Sequence, residues 1–577
     1  MSKSTQYVFA VLLLLLPMVL AKSKAYVELI NGTPYDWHLI SHAKHRMKWS
    51  PQTIIPSGTS SESCISWILN QPDASAEATY RIDNPTSSES FTISAIQDPT
   101  QLQVHYHENL TSLNNPQYST INLGFMDRHA HPFILAGNGT QTPYISTKPP
   151  VAWMQSTLST LSLKTLREIT MPMSHDAGAN VVTHPLNGPG TLHNTQTQSD
   201  SIYWQLVHGA RWLDIRPALY WKKWMTYHGT YAAGSMWGAT GQSIESMIED
   251  INYFTRKYPG ELIVLDISHD AIARRRWKGF SEDDWMKFYG ILSGIFDLWV
   301  EPQGSQWDLS SVPFGTFVKE GGKSTVLVRV PCGAPAWSSV LETRDVDTAL
   351  SAFSSGCDPV VQDIDLASLN TTNYSYSQKS SRSFYKRDVS NSPENTHHQS
   401  TSLTPSSPAT LNFTPIPAFR LPITGTFSHT SSPKTLVTTQ LEKLSQHKLS
   451  FPNTNPSPNI DPSPTPNPSP IHKLSWILTQ PLAVQADRRT WRNSILGYAV
   501  SAHRELYSNF EALVSGGRKM REREGGEGGE RGRGRAGEGK PNLIEVDYIR
   551  SCDVAALAMG VNVWGEWERE GEAEGKE

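Results

Sequence analysis

Short runs in which apolar and polar residues alternate follow one another from Tyr26 to about Gly137. YVELI, ATYRI, FTISAI, LQVHY and INLGF are separated by clusters of Pro, Asn, Ser and Gly. A period near two with no helical period predicts strands, and their regular spacing with turn signals predicts an all-β, sandwich-like domain over residues 26–145. No set of residues there has the makings of a catalytic site. An accessory or binding role is the expectation.

From Val151 the pattern changes to strands alternating with helices. The strand candidates are LREITMPMS, ARWLDIRPAL, WMTYHG, ELIVLDIS, STVLVRV, PVVQDID, LSWILTQ and NLIEVDYI. In GQSIESMIEDINYFTRKYPG, Ile244, Met247, Ile248, Ile251 and Phe254 recur at helical spacing, and Pro259-Gly260 ends the run. A second helix starts at Ser281, an N-cap residue. Glu282, Asp283 and Asp284 suit the positive end of its dipole, and Trp285, Phe288, Leu292, Ile295 and Trp299 form its apolar face. Strands interleaved with helices in this number imply an α/β fold, a TIM-type (β/α)8 barrel over residues 151–565. Too few residues separate the second and third strands for a helix, so the barrel is expected to be distorted there.

Two stretches break the pattern. Residues 371–470 are rich in Ser, Thr, Pro and Asn, and residues 516–540 in Gly, Arg and Glu. Both read as low-complexity insertions that bury no core. Residues 566–577 form an acidic tail. The hydrophobic content of 38 % fits ordinary core sequence diluted by such segments.

Lys3, the apolar run Phe9–Leu20 and the small residue Ala21 make a secretory signal peptide over residues 1–21. The run is short for a bilayer span, and no later segment is long and apolar enough, so no transmembrane segment is expected. A soluble, secreted, extracellular protein is therefore expected, and a monomer is the separate expectation for its assembly. A net charge of −4 gives no case for nucleic acid. In residues 516–540 acids nearly balance bases and aromatics are absent, which argues the same way. The four cysteines, Cys64, Cys332, Cys357 and Cys552, lack metal-ligand spacing. Secretion permits disulfides in any of three pairings, and Cys332–Cys357 closes the shortest loop. Sequons at Asn31, Asn109, Asn138, Asn370, Asn373 and Asn412 are candidate glycan sites.

In a barrel of this kind, chemistry gathers at the C-terminal ends of the strands. The first strand ends at His175-Asp176 within MPMSHDAGA. The second carries Asp214 and Arg216, the third ends at His228, and the eighth carries Asp547. A second His-Asp pair, His269-Asp270, follows the fourth strand without such partners.

With MSHDAG, RWLDIRP, YHG, ELIVLD, VLVRV, VQD and NLIEVDYI in this order, the chain resembles the phosphatidylinositol-specific phospholipase C X-domain group in its bacterial and fungal secreted form. The resemblance implies a distorted TIM barrel and a phosphoric diester hydrolase acting on a phospholipid at a membrane surface. It makes His175 the general base and His228 the general acid, roles suited to imidazole near neutral pH. Arg216 would clamp the non-bridging phosphate oxygens. Asp547 would orient His175, Asp176 would assist His228, and Asp214 would position Arg216. Arg329 and Asp363 match positions that hold inositol hydroxyls.

Calcium-dependent relatives carry an acid where Arg216 stands and an asparagine where Asp176 stands. A guanidinium there supplies a metal's charge and repels a metal, so metal-independent chemistry with no cofactor is expected. Two positions depart from the bacterial pattern. Asp365 replaces the tyrosine two residues after Asp363, and Ser268-His269 replaces a basic residue after the fourth strand. The resemblance gives His269 no proton role, and Asp266 is expected outside the reacting groups. Several tryptophans, Trp221, Trp224 and Trp237 among them, fall near the expected mouth, where packing is the commoner role and contact with a lipid interface the alternative. Two other readings stand beside the main one. One is a glycerophosphodiesterase or D-type sphingomyelinase on the same barrel. The other is a lipid- or carbohydrate-binding protein with impaired catalysis.

Overall fold

Strand Ser75–Ile82 buries every second side chain (Ala76, Ala78, Tyr80, Ile82) and turns the others outward. That alternation recurs through the N-terminal region of the computed structural model, which describes residues 22–68, 72–140, 142–188, 190–232, 235–272, 277–302, 308–331, 334, 413–450, 470–485, 490–515 and 540–564. Two sheets form there. A five-stranded one contains Lys22–Gly32, Met47–Lys48, Ser60–Ile68, Ala130–Ala136 and Ile145–Ser146. A six-stranded antiparallel one contains Trp37–His45, Ile54–Ile55, Ser75–Ile82, Glu89–Ile96, Gln101–Glu108 and Thr120–Asn122. Their apolar side chains share one core, in which Trp37 and Phe91 of the second sheet meet Phe133 of the first. Asn31 and Asn138 are buried here, and the Asn31 amide donates to the Tyr35 and Ile55 carbonyls, whereas Asn109 is exposed.

Beyond this region lies a curled parallel half-barrel of eight strands. They are β1 (Met171–Ser174), β2 (Trp212–Ile215), β3 (Leu262–Ile267), β4 (Thr325–Val330), β5 (Ile416–Pro417), β6 (Ile423–Thr424), β7 (Ile471–Ser475) and β8 (Leu543–Val546). The order across the sheet is β5-β4-β3-β2-β1-β8-β7-β6. This is the cyclic order of a (β/α)8 barrel opened between β5 and β6. Residues 418–422 connect those two edge strands, and so short a link reaches at most roughly 20 Å, which obliges the sheet to curl.

Helices complete the crossovers. The first, α1 (Ile244–Lys257), is capped by Ser243, which accepts from the Ser246 N–H, and it buries the five apolar residues its periodicity marks. The second, α2 (Glu282–Leu292), opens with a capping box between Ser281 and Asp284. Three more, α3 (Pro433–Ser450), α4 (Ile495–Ser508) and α5 (Val554–Val563), follow β6, β7 and β8. Among the described residues no helix is long and apolar enough to cross a membrane.

The inner face of the half-barrel is layered. Residues two apart on a strand share a face. The register aligns Glu545, Met173, Trp212, Val264 and Leu327 across the sheet. Most of this row joins an apolar floor with Met171, Leu262, Ile416, Ile471 and Leu543. One step further toward the C-terminal ends come Asp547, His175, Asp214, Asp266 and Arg329. The site is therefore a polar rim on an apolar floor.

Three expectations are corrected. WMTYHG is no barrel strand: Lys223–Ala232 pairs antiparallel with Pro217–Tyr220 and Ser235–Ser243 in a separate four-stranded sheet. The link that is too short for a helix is a turn within this ribbon, and the β2–β3 connection holds the ribbon followed by α1. The stretch 371–470 is not all outside the barrel, because residues 413–450 supply β5, β6 and α3. Leu436, Leu441 and Leu444 of α3 are buried, which the surrounding Ser, Thr and Pro residues obscure in the composition. LSWILTQ is strand only over Ile471–Ser475. Residues 1–21, PVVQDID with Asp363, Cys332 and Cys357, Asn370, Asn373 and Asn412, residues 516–539 and the acidic tail lie outside the described residues. Cys64 and Cys552 are both free thiols.

Candidate active site

His175 is the first residue beyond β1 and Asp547 the first beyond β8, and these strands are neighbours in the sheet. Their side chains meet at the rim. His175 Nδ1 lies 2.7 Å from Asp547 Oδ1, and both residues are buried. The carboxylate fixes the tautomer: Nδ1 donates and Nε2 carries the lone pair. Arg216 Nη2 sits 2.8 Å from that Nε2, a contact that requires a neutral, accepting imidazole. His503 of α4, which the sequence pattern did not mark, contacts the Asp547 carbonyl from below through Nε2, at 2.9 Å.

Arg216 is the hub. Its Nε and Nη2 donate to Asp214 Oδ2 at 3.2 and 3.0 Å, and Nη1 lies 3.1 Å from Asp176 Oδ2. Asp214 also accepts from the Asp176 N–H at 3.0 Å and from the Ser268 hydroxyl at 2.6 Å. Burial opposes ionisation of Asp214, but Arg216, His175 and Ser268 outweigh it and hold the carboxyl well below its ordinary range. Burial likewise opposes the Arg216 cation, and Asp176 and Asp214 more than compensate.

Asp176 behaves differently. It is fully buried, and its ion-pair contact with Arg216 lacks the alignment of a hydrogen bond; neither of its oxygens is hydrogen-bonded. Burial, only partly offset by Arg216, pushes its pKa up to about 7. Across from it, His228 Nε2 lies 3.9 Å from Asp176 Oδ2, while Nδ1 donates to the Thr195 carbonyl at 2.8 Å. Burial, Arg216 and His175 depress the His228 imidazole to about 3. His175 is held above its ordinary value: burial opposes its cation, but Asp547 outweighs burial. The two imidazole rings are 6.2 Å apart, centre to centre.

Although His228 lies on the antiparallel ribbon, it reaches the rim because Gly178 lets the ribbon approach. A Cβ at Gly178 would overlap the Thr226 side chain, whose hydroxyl donates to the Gly178 carbonyl at 2.9 Å. Strain concentrates at the same rim: Asp176, His269 and Tyr548 all have φ between 41° and 50°. Such backbone is uncommon for residues other than glycine and clusters at functional sites.

The structure thus brings together His175, Asp176, Asp214, Arg216, His228 and Asp547. Arg329 stands beside them, but two of its three nitrogens are engaged, Nη1 with Asp266 at 2.6 Å and Nε with the Leu421 carbonyl at 2.9 Å. Asp266 also accepts from Trp212 Nε1. Several neighbours escaped the sequence reading. Phe427, between β6 and α3, packs 5.3 Å from His175, and Lys473 lies over its ring while pairing with Glu545 at 3.2 Å. Inward-facing polar residues on β7 and β8 were the available signal. Among the described residues no three His, Cys, Asp or Glu side chains are placed to hold a metal ion; Arg216 fills the space between the acids.

No protein-family model matches the chain, and no curated protein matches it. Among solved structures, a point mutant of the phosphatidylinositol-specific phospholipase C from Staphylococcus aureus is similar at 14 % identity and a TM-score of 0.36, over 72 % of this chain and 97 % of that one. A second structure of the Staphylococcus aureus enzyme, concerned with its membrane binding, is similar at 13 % identity and a TM-score of 0.38, over 72 % and 98 %.

Proposed function

We propose that the protein is a secreted phosphoric diester hydrolase of the phospholipase C type, acting on a phosphatidylinositol-like lipid at a membrane surface without a metal. One observation carries this reading. Two imidazoles bracket a single guanidinium, and each has its far nitrogen fixed, by Asp547 or by the Thr195 carbonyl, so that each Nε2 faces the groups around Arg216.

Such an arrangement suits in-line displacement at phosphorus. His175 Nε2 takes the proton of the headgroup hydroxyl beside the phosphate. That oxygen bonds to phosphorus, and the bond from phosphorus to the diacylglycerol oxygen breaks. The departing oxygen takes a proton from His228 Nε2. His228 is too weakly basic to hold that proton at rest. The protonated Asp176 is its reservoir, and an anion bound at Arg216 raises the affinity of His228 for a proton. Arg216 neutralises the charge that builds on the non-bridging oxygens. The products are a cyclic headgroup phosphate and diacylglycerol. Water reopens the ring when the two histidines exchange roles.

Turnover of phosphatidylinositol with the water-soluble product identified tests this. A cyclic inositol phosphate is expected. His175→Ala and His228→Ala should each abolish its formation, while chelators leave it unchanged. Full activity in either variant refutes the roles, and loss of activity with chelator refutes the metal-free chemistry.

A further inference from the structure

Three connections of the N-terminal sheets meet around a cavity of about 340 Å³. One joins Ser75–Ile82 to Glu89–Ile96, one follows Gln101–Glu108, and one follows Ala130–Ala136. Two asparagines pin the first and third. Asn84 Oδ1 accepts from the Thr86 N–H at 3.0 Å and from its hydroxyl at 2.8 Å. Asn138 Oδ1 accepts from the Thr140 N–H at 3.1 Å and the Thr142 N–H at 2.9 Å. Gly139, with φ at 75°, lies against the Tyr144 ring, which a Cβ there would overlap. The Asn109 N–H donates to the Ser88 carbonyl at 3.1 Å and ties the second connection to the first. The cavity is therefore built into the fold.

Glu89 stands in its wall and is 5 % exposed. Its Oε2 accepts from the Tyr144 hydroxyl at 2.8 Å and from Asn84 Nδ2 at 3.1 Å. Among the described residues Oε1 accepts from none, and no Lys, Arg or His pairs with the carboxylate. Burial and the Glu89 charge hold the Tyr144 phenol far above its ordinary value, so it stays a donor. A buried carboxylate with a spare oxygen calls for further donors.

The remaining lining decides which donors suit it. Thr111 and Thr140 bring hydroxyls and Asn109 an amide, all three exposed at the mouth. Small-molecule cavities of roughly 300–1,000 Å³ are mostly apolar. This one is small and polar, which suits a compact ligand rich in hydroxyls and not an acyl chain. Glu89 repels an anion. An ammonium group would use Glu89 and leave the hydroxyls and amide unpaired. A divalent cation wants about six to eight oxygens, yet among the described residues no second acid and no imidazole lines the cavity.

We propose that this cavity is a carbohydrate-binding site for a short saccharide, whose hydroxyls donate to Glu89 while Thr111 and Thr140 meet its other edge. Asn109-Leu110-Thr111 is also a sequon, so the same sugar chemistry has two sources. One is a glycan attached at Asn109, the other a separate saccharide. The site shares no residue with the rim around Arg216 and does not depend on the reaction proposed there.

Calorimetry on the full chain from a bacterial host, which adds no glycan, tests the site. The probes are N,N′-diacetylchitobiose and cellobiose, with thermal melting to verify that each variant folds. At least one disaccharide should bind. Glu89→Gln should weaken it about tenfold or more, the scale of a hydrogen bond to a charged group. Ser87→Trp, which fills the cavity from its edge, should abolish binding. Binding of neither disaccharide, or binding that either variant leaves within about twofold, overturns the proposal. The same titration on protein from a eukaryotic secretory host assigns the source. A glycan seated in the cavity blocks the probe, and Glu89→Gln then lowers the melting temperature of the glycoprotein more than that of the bacterial protein. Unchanged binding marks a separate saccharide.

Discussion

Replacing Asp176 by asparagine should make the protein more stable as pH rises while removing activity. Asp176 is wholly buried without a hydrogen bond to its carboxyl oxygens, and burial lifts its pKa from 3.8 to about 7. A carboxyl whose folded pKa is raised contributes stability that is fully present below its unfolded pKa. That contribution is lost as pH climbs through the folded pKa. The window is therefore pH 3.8 to about 7. At about 1.4 kcal/mol per pH unit, the loss reaches about 4 kcal/mol at neutral pH and then levels off. Asparagine imitates the neutral carboxyl and has no such dependence. Urea midpoints of wild type and Asp176→Asn, taken from pH 4 to pH 8, should start together and diverge in favour of the variant. Phosphodiesterase kcat should fall by about 10²–10⁴, the worth of a general acid. A stability difference that is flat with pH, or that favours the wild type more at high pH, refutes a protonated Asp176 and with it the proton reservoir for His228.

Arg211→Met should cost about 3–5 kcal/mol in thermal or urea unfolding, because it leaves Glu261 fully buried without its guanidinium, which now sits at 2.7 Å. Gly178→Ala should lower kcat by about 10² and also cost about 1–3 kcal/mol of stability, since the added methyl overlaps the buried Thr226 side chain and drives it and the His228 ribbon away from His175. Expressed through a eukaryotic secretory pathway, the protein should carry a glycan at Asn109 and none at Asn31 or Asn138, a difference that peptide mass spectrometry reads directly.

Strands β1, β2, β3, β4 and β8 and helices α1 and α2 were visible in the pattern because each is specified locally. Buried strands are continuous apolar runs. The two helices have apolar residues at helical spacing behind a serine cap. WMTYHG has the same apolar texture as a barrel strand. Its antiparallel pairing is set by Pro217–Tyr220 before it and Ser235–Ser243 after it, which no count within the run reveals. Residues 413–450 were hidden for the opposite reason: short edge strands of two residues carry no period, and α3 is flanked by disorder-like composition. Within the site, chain order placed His175, Asp214, Arg216 and Asp547 at strand ends. The link from His269 to Asp214 could not be read that way. It depends on Ser268 reaching Asp214, 54 residues earlier, across the β2–β3 ladder.

The electrostatics of the rim form one coupled device. Arg216 has two carboxyl neighbours but only one dependable counterion, Asp214, because burial keeps Asp176 half protonated near neutral pH. Were both acids ionised, they would saturate the guanidinium and an incoming phosphate would have to displace one of them. With Asp176 holding its proton, Arg216 keeps positive charge to offer an anion. In the proposed reaction, binding that anion would cancel the charge that depresses His228, which could then receive the proton of Asp176, whose Oδ2 lies 3.9 Å away. It would also draw Arg216 off His175 Nε2, which it now contacts at 2.8 Å, and leave that lone pair to the attacking hydroxyl of the proposed substrate. One substrate charge would thereby free the base and arm the acid together, and without it His228 rests neutral.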